Sequence, residues 1–361
     1  MSVSAEAFDT YKTFHRDSWD FEANTQYFSS TKNFNSSGKS ESLPSGNTYS
    51  LWDTTLETRY TPRRTYSIFG SLNIANSQAK DSVATRKNSS ITDALLGMDF
   101  FMYSGTVDLI PEATIDIPFQ AIDAEADDAL NSEGVMQVSG RMNVQKDLRP
   151  LKLYGYLGFT YRGDGRSFLL PWGSGFEYKA TRRWLFGAEL FGYQSMTDDK
   201  DTGDELNRNS HINTVNAGSM AFYSVNPDVI DSKVFLQYRI TRPLTFGFDA
   251  GMTLAGKNMA DGYHIGGFFR YTFDLTEGYV QPPPTPTPAP SPVPSSRSNM
   301  YKSSDQIGAE TDTKKFKATP QAPKVTRKPK PAQQMAPVED FTVQLKGPTK
   351  KTKPQRRKSA Y

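Results

Sequence analysis

The chain lacks several features that would place it in a common class. It has no cysteine, which excludes disulfide bonds and thiolate metal sites. It has no run of 18 apolar residues, and its mean hydropathy is negative, so a protein that crosses a membrane by helices is excluded. No nucleotide-binding glycine motif and no zinc-ligand spacing occur, and we therefore expect no cofactor and no firmly held metal.

Histidine is scarce, and the three histidines are His15, His211 and His264. None has neighbours that form a motif able to fix a nucleophile or a water molecule. We therefore expect that the protein is not an enzyme.

The net charge of +3 conceals two parts of opposite sign. Residues 276–361 carry 16 Lys and Arg against 6 Asp and Glu, which leaves 26 basic and 33 acidic residues in positions 1–275. An acidic part therefore carries a basic tail, and each needs its own account.

Apolar and polar residues alternate strictly in three runs between residues 232 and 273. The last run places Tyr263, Ile265 and Phe269 on one face, and His264 and Arg270 on the other. Period two is typical of antiparallel strands with one apolar face. These runs are longer than most strands of soluble sheets, and their length suits a tilted crossing of a bilayer.

Nine similar runs precede them, so the sequence predicts twelve strands between residues 18 and 275. Four short connections, at residues 60–65, 147–151, 180–184 and 240–244, share arginine-containing turns and alternate with longer polar loops. Short turns on one rim and long loops on the other are typical of outer-membrane barrels, whose short turns lie in the periplasm. The segment His211–Tyr223 would break this alternation as a strand, so we predict that it belongs to a long loop.

The same alternation would also suit a soluble sandwich or barrel with its apolar face inside. Three features favour the membrane: apolar faces without charge, strands able to close without an edge, and aromatic residues near strand ends. These aromatic residues are Trp19, Trp52, Tyr60, Tyr66, Trp172, Tyr178, Trp184 and Tyr271. The predicted fold class is therefore all-β, a closed antiparallel up-and-down transmembrane barrel of about twelve strands, followed by a disordered tail.

The polar faces would line the lumen of such a barrel. The lumen-lining candidates are Asp93, Asp99, Asp108, Glu112, Asp116, Arg141, Lys152, Arg162, Glu177, Arg239, Asp249 and Arg270, with further inward positions at Asp20, Glu22, Asp53, Glu57, Arg59, Lys179 and Glu189. Two interpretations remain open. One is a lumen braced by ion pairs that carries little. The other is a narrow channel with an acidic wall around 93–116 and a basic wall around 141–162 that orients small polar solutes.

The last predicted strand carries a recognisable pattern. His264, Gly266, Phe269 and Tyr271 resemble the polar-x-Gly-x-x-aromatic-x-aromatic signal that the barrel-assembly machinery reads in bacterial outer-membrane proteins. The resemblance covers about residues 18–275 and implies a cell outer membrane location among lipid and lipopolysaccharide, with no particular porin family. That signal usually ends a chain, but here 86 residues follow it, which implies a tail in the periplasm.

The two ends of the chain have different compositions. Residues 1–17 are polar, and Val3, Ser4 and Ala5 have the small-residue pattern of a signal-peptidase site, so we expect the mature terminus nearby unless the pattern is coincidental. Residues 276–299 are Pro-rich and predict a polyproline II linker. Residues 300–361 are basic and predict a disordered periplasmic tail.

One island interrupts the tail, where Phe341, Val343 and Leu345 alternate. It would suit the addition of a strand to a partner's sheet, although three residues also alternate by chance. The basic end of the tail lacks aromatic residues that would stack bases, so we expect no nucleic acid.

An acidic segment, residues 198–205, places Asp199, Asp201 and Asp204 at the spacing of a calcium loop. It lacks the full twelve-residue pattern and the distal glutamate. A solvated acidic loop is therefore favoured over a weak calcium site.

Three functions remain at this stage. The first is an outer-membrane scaffold whose basic tail tethers it to peptidoglycan or to a periplasmic protein of a trans-envelope complex. The second is a porin-like channel for small polar solutes. The third, a soluble β-domain with a nucleic-acid-binding tail, requires the apolar faces to point inward.

Overall fold

The computed structural model describes residues 11–123, 125–203 and 205–275. Most of the N-terminal segment, the linker 276–299 and the tail 300–361 lie outside these ranges. Asp204 and the partner-strand candidates Phe341, Val343 and Leu345 also lie outside the described residues.

The described residues form twelve long strands, two short strands and one helix. The long strands are β1 (Ser18–Phe34), β3 (Thr48–Arg63), β4 (Tyr66–Lys80), β5 (Thr85–Phe100), β7 (Asp108–Pro118), β8 (Gln137–Leu148), β9 (Leu151–Arg162), β10 (Leu169–Lys179), β11 (Trp184–Ser195), β12 (Asp228–Arg239), β13 (Leu244–Lys257) and β14 (Met259–Asp274). The short strands are β2 (Ser40–Ser42) and β6 (Tyr103–Ser104), and the helix is α1 (Glu205–Val215).

The sheet closes on itself. Each long strand pairs antiparallel with the long strands next to it in sequence, and β1 pairs with β14 from Ser18 opposite Asp274 to Phe34 opposite Met259. Closure leaves no long strand with an unpaired edge, as a sheet in lipid requires. The prediction of a closed twelve-strand barrel is confirmed.

The two rims of the barrel differ. At the rim that holds Ser18 and Asp274, here called the terminal rim, the connections are tight, as at 149–150 and 180–183. The opposite rim, here called the loop rim, carries the connections 35–47, 81–84, 119–136, 163–168, 196–227 and Asn258. The segment 119–136 and the segment 196–227 are long enough to fold back over the lumen.

The two faces of the wall point as the alternation predicted. Phe248 and Phe269 are 54% and 55% exposed on the outside, whereas Asp99 and Lys233 are buried on the inside. The soluble interpretation required these aromatic residues to face inward, and it is wrong. In the described ranges no helix has the length and apolar character to span a membrane.

The strands extend further toward the loop rim than predicted. Polar composition predicts loops at 28–47 and 75–90. Half of the first range and most of the second are strand, because β1 continues to Phe34, β2 follows, and the β4–β5 hairpin turns only at residues 81–84. The predicted 255–262 connection is also strand, and Asn258 alone turns the chain there with a positive φ of 47°. The alternation of short and long connections therefore fails at two loop-rim positions.

Period two predicts that Thr92 faces outward with Ala94 and Leu96, and a bulge in β5 makes that prediction wrong. Asn73 of β4 pairs with Asp93, but the next residue, Ile74, pairs with Ile91. Thr92 is the additional residue, and it points inward and is buried, while Ile91 takes the outward position. The predicted inward positions Asp93 and Asp99 are unaffected.

Candidate functional site

The lumen wall carries the predicted charged residues on its inner face. Asp93, Asp99, Glu112, Glu177, Asp249 and Arg162 are buried there. Asp108 lies near the terminal rim, where Ser104 Oγ donates a hydrogen bond to its Oδ1 (3.1 Å), and Arg239 is exposed at the same rim. The structure fixes these positions, while their role in solute passage stays a prediction.

A network of five charged side chains joins the N-terminal segment to the lumen wall formed by β3, β5, β7 and β8, near the terminal rim. Lys12 Nζ lies 2.8 Å from Asp99 Oδ2 and also forms an ion pair with Glu112. Arg59 Nη1 reaches the same Asp99 oxygen at 2.7 Å, and Arg141 Nη2 lies 2.7 Å from Glu112 Oε1. Each buried carboxylate thus has two cationic partners, which is the condition under which buried charge is tolerated.

Lys12 belongs to an N-terminal segment, residues 11–17, that lies inside the terminal rim. Its backbone N–H donates to Gln145 Oε1 (2.9 Å), and Gln145 Nε2 donates to the Lys12 carbonyl (2.9 Å). The Tyr11 ring lies under Lys152 Nζ, 3.9 Å from the ring centroid. Sequence reasoning missed this segment because it has no period, and only the spacing of Tyr11 and Phe14 around Lys12 hints at burial.

These contacts bear on the two interpretations of the lumen. The predicted acidic wall contains Glu112 and the predicted basic wall contains Arg141, and the two residues are bonded across the β7–β8 ladder. Lys12 bridges to the acidic side as well. This side of the lumen wall is therefore braced by ion pairs, and solvent-exposed charge such as Arg239 lies at the terminal rim itself.

A second polar cluster lies on the wall formed by β11 to β14. Lys233 Nζ is 3.1 Å from Glu189 Oε2, and Gln26 Nε2 donates to Asp249 Oδ1 at 3.4 Å. His264 of the assembly motif is buried nearby and lies flat over Gly251, where an added Cβ would come within 2.3 Å of its Nε2. Glycine at this paired position is what lets the imidazole lie against the wall.

Two loops fill the lumen near the loop rim. We call the segments 119–136 and 196–227 together the loop plug. Its apolar residues pack against inward residues of β1, β3, β4 and β14 in one buried cluster that comprises Phe28, Tyr49, Leu51, Ala75, Ala79, Ala129, Leu130, Val215, Ala217, Ala221, Phe222 and Ala260. As predicted, the segment His211–Tyr223 belongs to a long loop and forms no strand. Its first residues end α1 and the rest continue the plug.

Ion pairs fasten the loop plug. Arg208 of α1 binds Asp199 with both terminal nitrogens (2.9 and 3.1 Å) and also binds Asp201. Glu133 Oε2 lies 3.8 Å from both Arg162 and Arg166. The calcium candidates Asp199 and Asp201 are thus neutralised by an arginine, and no cluster of metal-ligating side chains occurs in ranges 11–123, 125–203 and 205–275.

The two ends of the lumen differ in free space. Between the loop plug and Asp53, Asp93 and Asp116 of the wall there is a hollow of about 20 Å³, close to the minimum for one water molecule. At the terminal rim, by contrast, a cavity of about 450 Å³ opens between the wall and residues 11–15. We call this cavity the vestibule.

Comparisons with known proteins agree with this geometry. No protein-family model and no curated protein matches the sequence. Among solved structures, an outer membrane channel from Pseudomonas putida F1 is similar with a TM-score of 0.56 and 12% identity, over 75% of this chain and 100% of that one. The chain therefore shares the closed β-barrel fold of that outer-membrane protein.

Two weaker similarities to porins carry no argument of their own. The NanC porin matches with a TM-score of 0.42 and 9% identity, over 70% of this chain and 98% of that one. The KdgM porin in complex with disordered oligogalacturonate matches with a TM-score of 0.41 and 8% identity, over 71% and 99%. The protein is an outer-membrane β-barrel, and its function is a matter for proposal.

Proposed function

We propose that the protein is a porin-like channel for small polar solutes in the outer membrane. The observation that carries the proposal is the polar vestibule of about 450 Å³, which opens from the terminal rim into a lumen lined with charged side chains. Charged walls at close quarters favour solutes that exchange water for polar partners.

The loop plug determines how such a channel would conduct. Its apolar residues close one side of the lumen against β1, β3 and β4, and Lys12, with its ion pairs, narrows the lumen toward the terminal rim. We therefore expect a small unitary conductance that rises when the plug is removed.

Planar-bilayer recording of the full chain tests this proposal. Stepwise conductance is expected, with larger steps after residues 199–224 are replaced by a short glycine-serine linker. The matched control replaces Ser82 and Val83, in an exposed loop of the same rim, by glycine and should leave the steps unchanged. Absence of steps in both the full chain and the plug-deleted variant would overturn the channel.

A second proposal concerns the basic tail. Residues 276–361 begin with the Pro-rich linker and carry 16 basic and 6 acidic residues, and β14 ends at the terminal rim. We propose that this rim faces the periplasm and that the tail tethers the barrel to peptidoglycan or to an acidic periplasmic protein. If the partner is a protein, the segment with Phe341, Val343 and Leu345 would add a strand to the partner's sheet.

Cell-wall association and co-purification test the tether. Deletion of residues 280–361 should abolish both, and replacement of the tail Lys and Arg by Gln at constant length should weaken binding to peptidoglycan. The triple substitution of Phe341, Val343 and Leu345 by Ser should affect only a protein partner. Unchanged association in the deletion variant would reject the tether without bearing on the channel.

A third proposal concerns biogenesis. Phe269 and Tyr271 of the predicted assembly signal face outward on β14, the strand that closes the barrel against β1. We propose that the assembly machinery reads this face before closure. Phe269→Ala with Tyr271→Ala should lower the folded fraction in cells, whereas Phe176→Ala, on the outer face of β10, should not.

A further inference from the structure

Charge is distributed unevenly around the vestibule. Its acidic residues are Asp20, Glu22, Glu57, Glu177 and Asp274, and its basic residues are Arg59, Lys152, Lys179, Arg182, Arg183, Arg239, Arg242 and Arg270. Basic side chains therefore outnumber acidic side chains in the vestibule.

The acidic side chains are largely occupied within the wall. Arg270 Nε donates to Glu22 Oε2 at 2.6 Å, and Lys152 Nζ lies 3.6 Å from Glu177 Oε2. Arg59 lies 3.5 Å from Glu57. These pairs cancel much of the negative potential of the vestibule.

The basic side chains on the other side of the vestibule have no such partners. Within the described ranges, no carboxylate oxygen lies within 4 Å of the charged groups of Lys179, Arg182, Arg239 or Arg242. Lys179, Arg182 and Arg242 come from the ends of the hairpin turns β10–β11 and β12–β13, and Arg239 ends β12. All four are exposed to the water of the vestibule.

We propose that this basic wall, defined as Lys179, Arg182, Arg239 and Arg242, binds small organic anions that carry two or more carboxylate, phosphate or sulfonate groups. Guanidinium groups bind such oxyanions through paired N–H donors. A concave mouth lined by one sign of charge also concentrates counter-ions before they enter. The inference rests on the proposed channel for its biological role, and it assigns the class of solute that the channel admits.

Binding of pyranine, a pyrene trisulfonate, to the full chain in detergent micelles tests the inference without requiring conductance. The triple variant Arg182→Gln, Arg239→Gln, Arg242→Gln should bind pyranine about tenfold more weakly, which corresponds to the loss of about 1.4 kcal/mol. The affinity of the unsubstituted chain should also fall as salt is raised.

A matched triple variant separates the vestibule from general surface charge. Arg63→Gln, Arg64→Gln and Arg149→Gln remove the same charge from exposed turns of the same rim that lie outside the vestibule. Because the basic tail is present in all three proteins, its contribution is constant. The control should bind pyranine within about twofold of the unsubstituted chain, and equal losses in both variants would overturn the inference.

Bilayer recordings distinguish this inference from the channel proposal. Under a salt gradient, the reversal potential should show anion preference that the vestibule variant reduces and the control variant retains. Conductance with cation preference and unchanged pyranine affinity in the vestibule variant would reject the anion site and keep the channel. Specific pyranine binding without conductance would keep the anion site and reject the channel.

Discussion

Lys12 and Gln145 bind each other through two hydrogen bonds, one in each direction between a backbone amide and a side-chain amide. The arrangement copies the pairing of two strands, although Lys12 lies in no strand. It holds the Lys12 ammonium where it reaches Asp99 and Glu112. The N-terminal segment is therefore a structural part of the lumen.

Substitution of Lys12 by Met should destabilise the barrel. Asp99 and Glu112 would keep Arg59 and Arg141 but lose the cation that they share, at an expected cost of about 2 kcal/mol in the free energy of unfolding. Urea unfolding in lipid vesicles measures this change in the free energy of unfolding. Arg16→Met, which removes an exposed ion pair of the same segment, should change the free energy by less than about 0.5 kcal/mol. Equal effects of the two substitutions would contradict the central role of Lys12.

Truncation of Phe222 should release the loop plug. Phe222 is buried against the Tyr49 ring, with centroids 6.4 Å apart, and loss of a buried phenylalanine costs about 3 kcal/mol. Phe222→Ala should thus speed proteolysis within residues 197–227 by about a hundredfold and raise the unitary conductance. Phe168→Ala, at an exposed site on a neighbouring loop, should do neither. Slow cleavage in Phe222→Ala would show that the plug does not depend on this ring.

Acidic pH should loosen the loop plug through His211. Burial lowers the pKa of His211 and outweighs the opposing effect of Asp123, and its Nε2 has no hydrogen-bond partner among the described residues. The pKa of His211 is lower in the packed loop than in the released loop, so the released loop binds the proton more readily. Neutral His211 therefore favours the packed loop at pH values above the ordinary histidine pKa. This stabilisation is lost as the pH falls below that value.

Protease sensitivity of residues 197–227, measured from about pH 8 to about pH 5, tests this effect. Cleavage should accelerate toward the acidic end in the unsubstituted chain. His211→Gln should flatten the profile, and His15→Gln, at an exposed site at the terminal rim, should leave it as it was. A steep profile that persists in His211→Gln would assign the titration to another group.

Charge on the outer face should oppose membrane insertion. Leu157 is 56% exposed at the middle of β9, and an arginine near the bilayer midplane costs about 2–4 kcal/mol. Leu157→Arg should lower the free energy of unfolding in vesicles by that amount. Val83→Arg, in the exposed loop 81–84, should have an effect below about 0.5 kcal/mol. Similar effects at both positions would mean that Leu157 does not face lipid.

The sequence predicts the middle of the barrel well because one physical rule acts there on every strand. Positions such as Leu157 and Phe248 meet lipid, while their neighbours meet water or ion partners. The twelve-strand count and the inward placement of Asp99 and Glu112 follow from that period. The bulge at Thr92 breaks the period locally, and no local signal in the sequence marks it.

Near the loop rim the strands carry apolar residues on the inner face and polar residues on the outer face, the reverse of the rest of the wall. The sequence therefore predicts loops where the structure has strand ends. Tyr49, Leu51, Ala75 and Ala79 are buried inside the barrel, since at this height the lumen holds the loop plug. Polar residues such as Gln78 occupy the outer face instead. A prediction that requires an apolar outer face therefore ends each strand before its true end. The packing of the loop plug against the wall depends on contacts between residues distant in sequence, which the local pattern does not show.

The lengths of the strand ladders determine where the wall resists sideways opening. The β1–β14 ladder runs from Ser18–Asp274 to Phe34–Met259, whereas the β5–β7 ladder runs only from Asp93–Pro118 to Asp99–Glu112. Lys12 joins Asp99 to Glu112, the last pair of that short ladder. Lys12 thus ties β5 to β7 by ion pairs at the end of their ladder, which adds resistance to lateral separation of these two strands.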